Sequence, residues 1–327
     1  TTAAGSGGGG QGQGQQAEGW YPPVAVLPMG TGNDLARYLG WGAGFQSADN
    51  LYSFLEAVVK AHAFVLDQWD VHLQTVDSRG VVTDHGTRVM NNYLSFGFDA
   101  EIVTRFHNLR EQHPSRFSSQ FVNKIWYGKL GAEAYLFPSN PECLQPTSLQ
   151  VDGKEVNLTG MMGVVLLNID RYGGGSYLWG KGTDTLMPHS TTQTALTKPC
   201  AHDRVLEVSG VRTSFHMGQV QVGITTADRL AQGGDMVIKS GLNNPLPLQV
   251  DGEPWQVRDP WVMTVRHRGQ VLMLSRSESQ QDSVLDTVGG VLDWAEHTEV
   301  ITTAQKVTLL TEMSKRVKSH NGHVSFL

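Results

Sequence analysis

Cysteine is nearly absent: Cys143 and Cys200 are the only two in 327 residues. That excludes a disulfide framework and a cysteine-built metal module, and it sets the expectation of a reducing, cytosolic compartment. Positive charge is not in excess either, since 25 Lys and Arg face 31 Asp and Glu for a net charge of −6. A chain of that sign lacks the electrostatic footprint of a nucleic-acid binder. Long apolar runs are missing too. The longest, Gly160–Ile169, falls far short of the ~20 residues a bilayer span requires, and no apolar leader core is visible near the start. Membrane contact is therefore expected to be peripheral. Neither His-x-x-x-His nor Gly-x-Ser-x-Gly occurs, which argues against a helix-borne zinc enzyme and an α/β-hydrolase.

Glycine, by contrast, is plentiful, and its placement is informative. Residues 1–21 are a Gly/Gln-rich, low-complexity segment expected to be disordered. An apolar strand over Val24–Met29 then runs into Gly30-Thr31-Gly32-Asn33-Asp34, and Leu35, Ala36, Tyr38 and Leu39 follow at helical spacing. Glycines flanking a threonine at a strand-to-helix junction let the backbone turn sharply and approach a ligand. Free N–H groups and the Thr31 hydroxyl would then face an anion such as a phosphate. An ordinary turn with Asn33 or Asp34 as helix N-cap accounts for the same residues equally well. A strand feeding such a turn normally belongs to a parallel sheet of several βα units. One strand and two helices, at Asp34–Leu39 and Asn50–His62, cannot build one, so residues 22–64 read as the tail end of an α/β domain.

From 65 to 275 the chain turns to strands. They are predicted at Phe64–Leu73, Val89–Phe96, Ser148–Val151, Met162–Asn168, Val205–Val208, Gln219–Ile224, Met236–Ile238, Leu246–Val250 and Val262–His267. Helices are expected at Asp99–Arg110 and Gln120–Phe137, and another around Asp282–Lys315 within the tail 276–327. Residues 181–200 read as a surface loop.

Leu149-Gln-Val-Asp-Gly153 returns as Leu248-Gln-Val-Asp-Gly-Glu253. Asp-Gly between extended segments signals a type I′ hairpin, which accounts for the first copy and competes for the second. On a regular strand Asp251 and Glu253 share one side. Such a carboxylate pair could hold Mg²⁺, or one carboxylate could take a proton from a substrate hydroxyl. Phosphoryl transfer to an alcohol needs both. Asn91–Ala100 gathers polar groups at a strand end, and Asn168–Gly175 ends in three glycines as a flexible connection or a close approach to a ligand. Asp203 reads as a turn cap or as one oxygen ligand of a cation.

In order along the chain, these segments resemble the eukaryotic diacylglycerol kinase family. The resemblance is carried by Pro28-Met-Gly-Thr-Gly-Asn-Asp-Leu-Ala-Arg37, Leu66-Asp-Gln-Trp69 and Asn91-Asn-Tyr-Leu-Ser-Phe-Gly-Phe-Asp-Ala100. It continues through Asn123-Lys-Ile-Trp-Tyr127, Tyr172-Gly-Gly-Gly175, His216–Gly223 and Gln249-Val-Asp-Gly-Glu-Pro-Trp255, covering roughly residues 22–275. It implies ATP-dependent phosphorylation of the sn-3 hydroxyl of diacylglycerol, giving phosphatidic acid. It also implies an α+β fold: a partial α/β nucleotide-binding domain joined to an antiparallel β-sandwich accessory domain, with a C-terminal helix. Residues 22–64 would be the remnant of the ATP-binding catalytic domain and 65–275 the accessory domain.

The resemblance further implies that Gly30, Thr31, Gly32, Asn33 and Asp34 contact nucleotide. It makes Asp251, with Glu253 beside it, the proton acceptor, and Asp203 with the carbonyls of Leu206 and Val208 a magnesium site. Arg204 stands where the family has a glycine. The implied cofactors are ATP and Mg²⁺, and the implied partners are diacylglycerol and a membrane surface, not nucleic acid. The family's upstream Gly-Gly-Asp-Gly-Thr loop does not occur in the sequence, nor do cysteine-rich C1 domains. The chain is thus expected to be a fragment, or a gene model shortened at its 5′ side, that does not phosphorylate lipid alone. The competing expectations are a non-catalytic lipid-binding pseudokinase module and a kinase of sphingosine or ceramide.

Overall fold

The computed structural model describes residues 22–45, 51–113, 144, 147–180, 196–221, 223–241 and 246–276, with a few positions between 301 and 309. The expected helices at Gln120–Phe137 and Asp282–Lys315 lie almost wholly outside the described residues, as does most of the 181–200 loop. In chain order, α1 (Asp34–Tyr38) and α2 (Leu51–Val59) precede β1 (His62–Val76), β2 (Val82–Met90) and β3 (Tyr93–Gly97). Next come α3 (Phe98–Gln112), β4 (Thr147–Val151), β5 (Lys154–Val156), β6 (Gly163–Leu167) and β7 (Leu206–Val211). The helix α4 (Ser214–Gln221) leads to β8 (Asp228–Gly233), β9 (Asp235–Ser240), β10 (Leu246–Val250), β11 (Glu253–Val257) and β12 (Trp261–Ser275).

Two six-stranded sheets result, in the orders β2-β1-β12-β9-β4-β5 and β11-β10-β3-β6-β7-β8. All the strand pairs within them are antiparallel. One core lies between them, filled by Trp69 and Val71 of β1, Met263 and Val265 of β12, Phe96 of β3 and Leu166 of β6, among others. Every residue of β6 is buried, because alternate side chains serve two cores. Val164 and Leu166 face the partner sheet, while Val165 and Leu167 meet Phe98 and Ile102 of α3 and Met217 and Val220 of α4.

The strand β1 serves two cores along its length. Phe64 and Leu66 are buried at even positions, whereas Trp69, Val71 and Leu73 are buried at odd ones. The phase changes where the pairing of β1 with β12 shifts register, between Gln68 and Trp69, as an irregularity of one residue must do to a period-two pattern. Upstream of that point β1 packs under Ala36, Leu39 and Trp41; downstream it joins the sandwich core. The α1–α2 segment is thereby seated on one end of the sandwich.

Three sequence expectations are corrected. The apolar run Val24–Met29 makes no strand: only Val24 bridges, in parallel, to Met273 of β12. No parallel βα sheet is present among the described residues for it to join, and Pro28 has no N–H to give a ladder. Val89–Phe96 is interrupted at Asn91–Asn92, between β2 and β3. Gln219–Ile224 is not a strand, because its first three residues close α4. Met217 and Val220 share the buried side of that helix. The Thr213 hydroxyl accepts the His216 N–H at 3.0 Å as its N-cap. Gly223, at φ 76°, ends it with the paired bonds Gly223 N–H to Val220 O and Ile224 N–H to Gln219 O of a Schellman motif.

Candidate functional site

A cleft of about 540 Å³ opens where the α1 segment meets the end of the second sheet. Its walls come from four places far apart in sequence. They are the Gly30–Arg37 segment, the Asn92–Tyr93 entry to β3, the Asp251–Gly252 turn and Gly173–Gly174. A fifth wall is one stripe of α3, Val103, Phe106, His107 and Arg110, at the i, i+3, i+4, i+7 spacing of a single helix face. That stripe pairs an apolar surface with two groups that can carry positive charge. It was readable as a stripe, but nothing in the sequence says what it faces.

The Gly30–Asp34 loop is not held by a helix cap. The helix α1 is only five residues long, and Asn33 before it is left-handed at φ 56° with no side-chain cap bond. Instead the Asn33 Nδ2 amide lies 2.8 Å from Gly30 O, 2.9 Å from Ala43 O and 3.3 Å from Pro28 O. Its two hydrogens can serve the nearer two, tying the loop to itself. Asp34 does not cap the helix either. Its Oδ1 accepts the Gly174 N–H at 2.8 Å and its Oδ2 accepts the Tyr93 hydroxyl at 3.0 Å. Burial raises the Asp34 pKa, opposed by the Gly174 N–H, the Tyr93 hydroxyl, the Gly175 N–H and the Arg37 charge. A Cβ at Gly32 would stand 3.0 Å from the Asp34 carboxylate, so any larger residue there would push on that carboxylate. Thr31 borders the cleft, half-buried, and among the described residues its hydroxyl has no hydrogen-bond partner.

Asp251 lies opposite, at φ 51° in the β10–β11 turn, followed by Gly252 at 88°. Its Oδ2 accepts the Asn91 N–H at 2.8 Å, and its Oδ1 accepts those of Asn92 at 2.8 Å and Tyr93 at 3.0 Å. The break between β2 and β3 is therefore filled by this carboxylate. Burial raises the Asp251 pKa, and the three backbone N–H groups work against it. Glu253 is exposed, is not among the residues lining the cleft, and faces Val250 across the hairpin. Because Asp251 and Gly252 form the turn itself, strand alternation does not place the two carboxylates side by side.

Asp203 sits on the far side of β7, in the turn before it, where its Oδ1 accepts the Val205 N–H at 3.0 Å. Burial lifts its pKa to about 6, with the charge of Asp67 adding to the rise. Leu206 and Val208 are buried within β7, opposite Gly233 and Ala231 of β8. Between them Glu207 is wholly buried, its Oε2 has no hydrogen-bond partner, and burial holds its pKa well above the usual carboxylate range. No three His, Cys, Asp or Glu side chains among the described residues form a metal-holding group. The unpartnered Oε2 of Glu207, with the Asp203 carboxylate near enough to raise its pKa, nevertheless suits a hard divalent cation that takes carbonyls and water for the rest of its shell. Asp203, Leu206 and Val208 do not line the cleft, so the structure separates them from Thr31 and Asp251.

Comparison with known proteins accounts for this arrangement. The diacylglycerol kinase accessory domain matches residues 89–254, about half of the chain, and the diacylglycerol kinase catalytic domain matches residues 11–64. The chain belongs to the diacylglycerol kinase family. Diacylglycerol kinase 2 of Arabidopsis thaliana is 38% identical over 298 residues, covering 90% of this chain and 40% of that protein. Diacylglycerol kinase 1 of the same plant is 36% identical over 301 residues, again with 90% and 40% coverage. Diacylglycerol kinase theta of Mus musculus is 38% identical over 267 residues, covering 80% of this chain and 27% of its own length. The chain thus spans well under half of each of these relatives. Within this family match, the cleft draws lining from both matched segments, Gly30–Arg37 from one and Asn92–Gly252 from the other.

Proposed function

We propose that this chain carries part of the active site of an ATP-dependent lipid kinase that phosphorylates diacylglycerol to phosphatidic acid. One observation carries the reading: the Gly30–Asp34 loop and Asp251, 217 residues apart between Asp34 and Asp251, line one cleft. In this reading the loop and the Thr31 hydroxyl contact the nucleotide phosphates, and Arg110 adds positive charge on the opposite wall. Val103 and Phe106 offer apolar surface to the glycerolipid. Asp251 takes the proton of the attacking hydroxyl. Three backbone N–H groups hold its carboxylate, and the Asn91 side-chain amide reaches Oδ2 at 3.4 Å. Those N–H groups hold the carboxylate in one orientation, and burial supplies the basicity they remove.

Mg²⁺, when bound with ATP, would neutralise charge developing on the transferred phosphoryl group; Asp203, with the carbonyls of Leu206 and Val208, is the proposed protein site for a second, structural ion. Among the described residues no helix is long and apolar enough to cross a membrane. The proposed association is accordingly peripheral, at a cytoplasmic lipid surface.

The test is phosphate transfer from radiolabelled ATP to diacylglycerol in vesicles, with the chain joined to an upstream segment bearing the Gly-Gly-Asp-Gly-Thr loop. Asp251→Asn is expected to lower kcat by about 10²–10⁴. Unaltered turnover in that variant would remove Asp251 as the base. Sphingosine and ceramide offered in place of diacylglycerol are expected to be poor acceptors. Equal turnover on them would assign the other lipid class, and binding without turnover of any lipid would assign a non-catalytic module.

A further inference from the structure

Tyr93 touches both sides of the cleft. Its backbone N–H donates to Asp251 Oδ1 at 3.0 Å, and its carbonyl accepts the Asp251 N–H at 2.9 Å. Its side chain runs the other way, and the phenol donates to Asp34 Oδ2 at 3.0 Å. Asp34 is 6% exposed, and its second oxygen holds the Gly174 N–H at 2.8 Å. The Tyr93 ring packs on Tyr172, centroid to centroid 4.8 Å, in the stretch that leads to Gly174. Arg37 closes the circuit, donating from Nε to Gly32 O at 3.0 Å and lying against Gly175, where an added Cβ would come within 3.2 Å of it. Three of the segments lining the cleft thus meet on one residue that supplies no charge.

We infer that Tyr93 is a positioning residue whose hydroxyl sets the Gly30–Asp34 loop at a fixed separation from Asp251. The α1 segment is seated on β1 and β12 by apolar contacts and by hydrogen bonds to β12 at Val24, Leu39 and Trp41, none of which touches residues 30–34 themselves. A hydrogen bond to a buried carboxylate is directional and fixes the loop itself, which those contacts flank without reaching. Asn92, one residue away, shares the same anchoring: its N–H goes to Asp251 and its carbonyl accepts the Asn168 N–H at 2.8 Å. The base of the connection is therefore rigid, and the phenol is the arm that reaches across.

Tyr93→Phe keeps the ring, its packing on Tyr172 and every backbone bond, and deletes only the hydroxyl. Amide hydrogen exchange on the chain itself reads the result without any need for catalysis. Exchange at residues 30–34 and at Gly174 is expected to quicken by about tenfold or more, as local opening becomes easier. The Gly234 and Asp235 amides, held by Asp152 elsewhere in the fold, keep their wild-type rates. Unchanged rates at 30–34 and Gly174, or an equal increase throughout the chain, would overturn the inference. Should Tyr93→Phe fail to fold, Asp34→Asn leaves a single acceptor oxygen for both the Tyr93 hydroxyl and the Gly174 N–H, weakens the same contact and is judged by the same amides.

A second readout rests on the proposed kinase reading. In the upstream-joined protein Tyr93→Phe is expected to lower kcat by about tenfold, with KM for diacylglycerol within about twofold, since misplacement costs rate more than affinity. Unaltered kcat would overturn the positioning role. Absence of kinase activity in the parent protein would overturn the kinase reading instead, and the exchange result would still decide the role of Tyr93.

Discussion

At Asp152 and at Asp251 the chain makes the same turn in opposite sheets. Each aspartate follows Leu-Gln-Val and precedes glycine, with φ of 48° and 75° for Asp152–Gly153 and 51° and 88° for Asp251–Gly252. Each N–H donates to a carbonyl at the start of the neighbouring strand, Asp235 O for one and Tyr93 O for the other. Each carboxylate also accepts backbone N–H groups there: Gly234 and Asp235 in one case, Asn91, Asn92 and Tyr93 in the other. The surroundings differ. Asp152 is exposed, whereas Asp251 is largely withdrawn from water and borders the cleft with Thr31. The comparison shows that clamping a strand entry is what this five-residue motif does by itself. Anything chemical that Asp251 adds comes from what the fold places opposite it.

The largest expected effect that separates the two copies is on stability. Asp251→Ala leaves three backbone N–H groups without their acceptor in a half-buried site, for an expected loss of about 3 kcal/mol or more. Asp152→Ala leaves two in reach of water, for an expected loss of about 1 kcal/mol. Urea denaturation measures both, and equal losses would break the comparison. A carboxamide at Asp251 keeps one acceptor oxygen and should fall between the two.

A comparable effect follows from the glutamines that precede them. Gln150 is half-exposed, but Gln249 is buried, donating to Ser95 Oγ at 2.8 Å and reaching Asp99 Oδ2 at 3.5 Å. Asp99 also accepts the Ser95 hydroxyl, and burial raises its pKa from 3.8 to about 6. A carboxyl whose pKa is raised by folding binds its proton more tightly in the folded state. Its contribution is complete below about 3.8 and is lost as pH rises through about 6. Wild-type stability should therefore fall across that window, by at most ~3 kcal/mol from this group, and Asp99→Asn should flatten the fall. A denaturation series from pH 4 to 7 checks the sign; a wild-type profile that rises through the window while Asp99→Asn is flat would reverse it.

The smallest expected effect tests what the copies share. Neither Gly153 nor Gly252 has an atom within 4 Å of an added Cβ, and both have positive φ. Gly153→Ala and Gly252→Ala should each cost about 1–2 kcal/mol by backbone strain alone. Thermal unfolding of the pair should agree within error, and a clear excess at Gly252 would show that the cleft constrains the turn as well as the carboxylate.

Much of the architecture was written locally. Asp-Gly marked both hairpins, alternating apolar residues marked β1 and β10, and short continuous apolar runs marked β6 and β9. Asn33 and Asp34 announced the start of a helix, yet neither caps it: the Asn33 amide ties its own loop together, and the Asp34 carboxylate meets Tyr93 and Gly174 across the cleft. For α4 the Thr213 cap and the Gly223 stop were present in the sequence. The alternation of glutamine with valine over Gln219–Val222 outweighed them, and burial of Met217 with Val220 settled the matter toward helix. The short strands β5, β8 and β11 were missed since three to six residues carry too little pattern, and most of β2 was missed because all but its last residue is exposed and leaves no apolar face to read.

What the sequence determined by itself about this protein is its set of turns, its strand-rich character and the family motifs that line the cleft. Only the tertiary structure decided that Tyr93 reaches Asp34, 59 residues away, while its backbone holds Asp251, 158 residues away. Periodicity records whether a side chain is buried. It does not record which distant donor will meet which acceptor, because that choice is made by packing: the register shift in β1, the seat of α1 on the sandwich and the break at Asn91–Asn92 place those atoms within hydrogen-bonding distance.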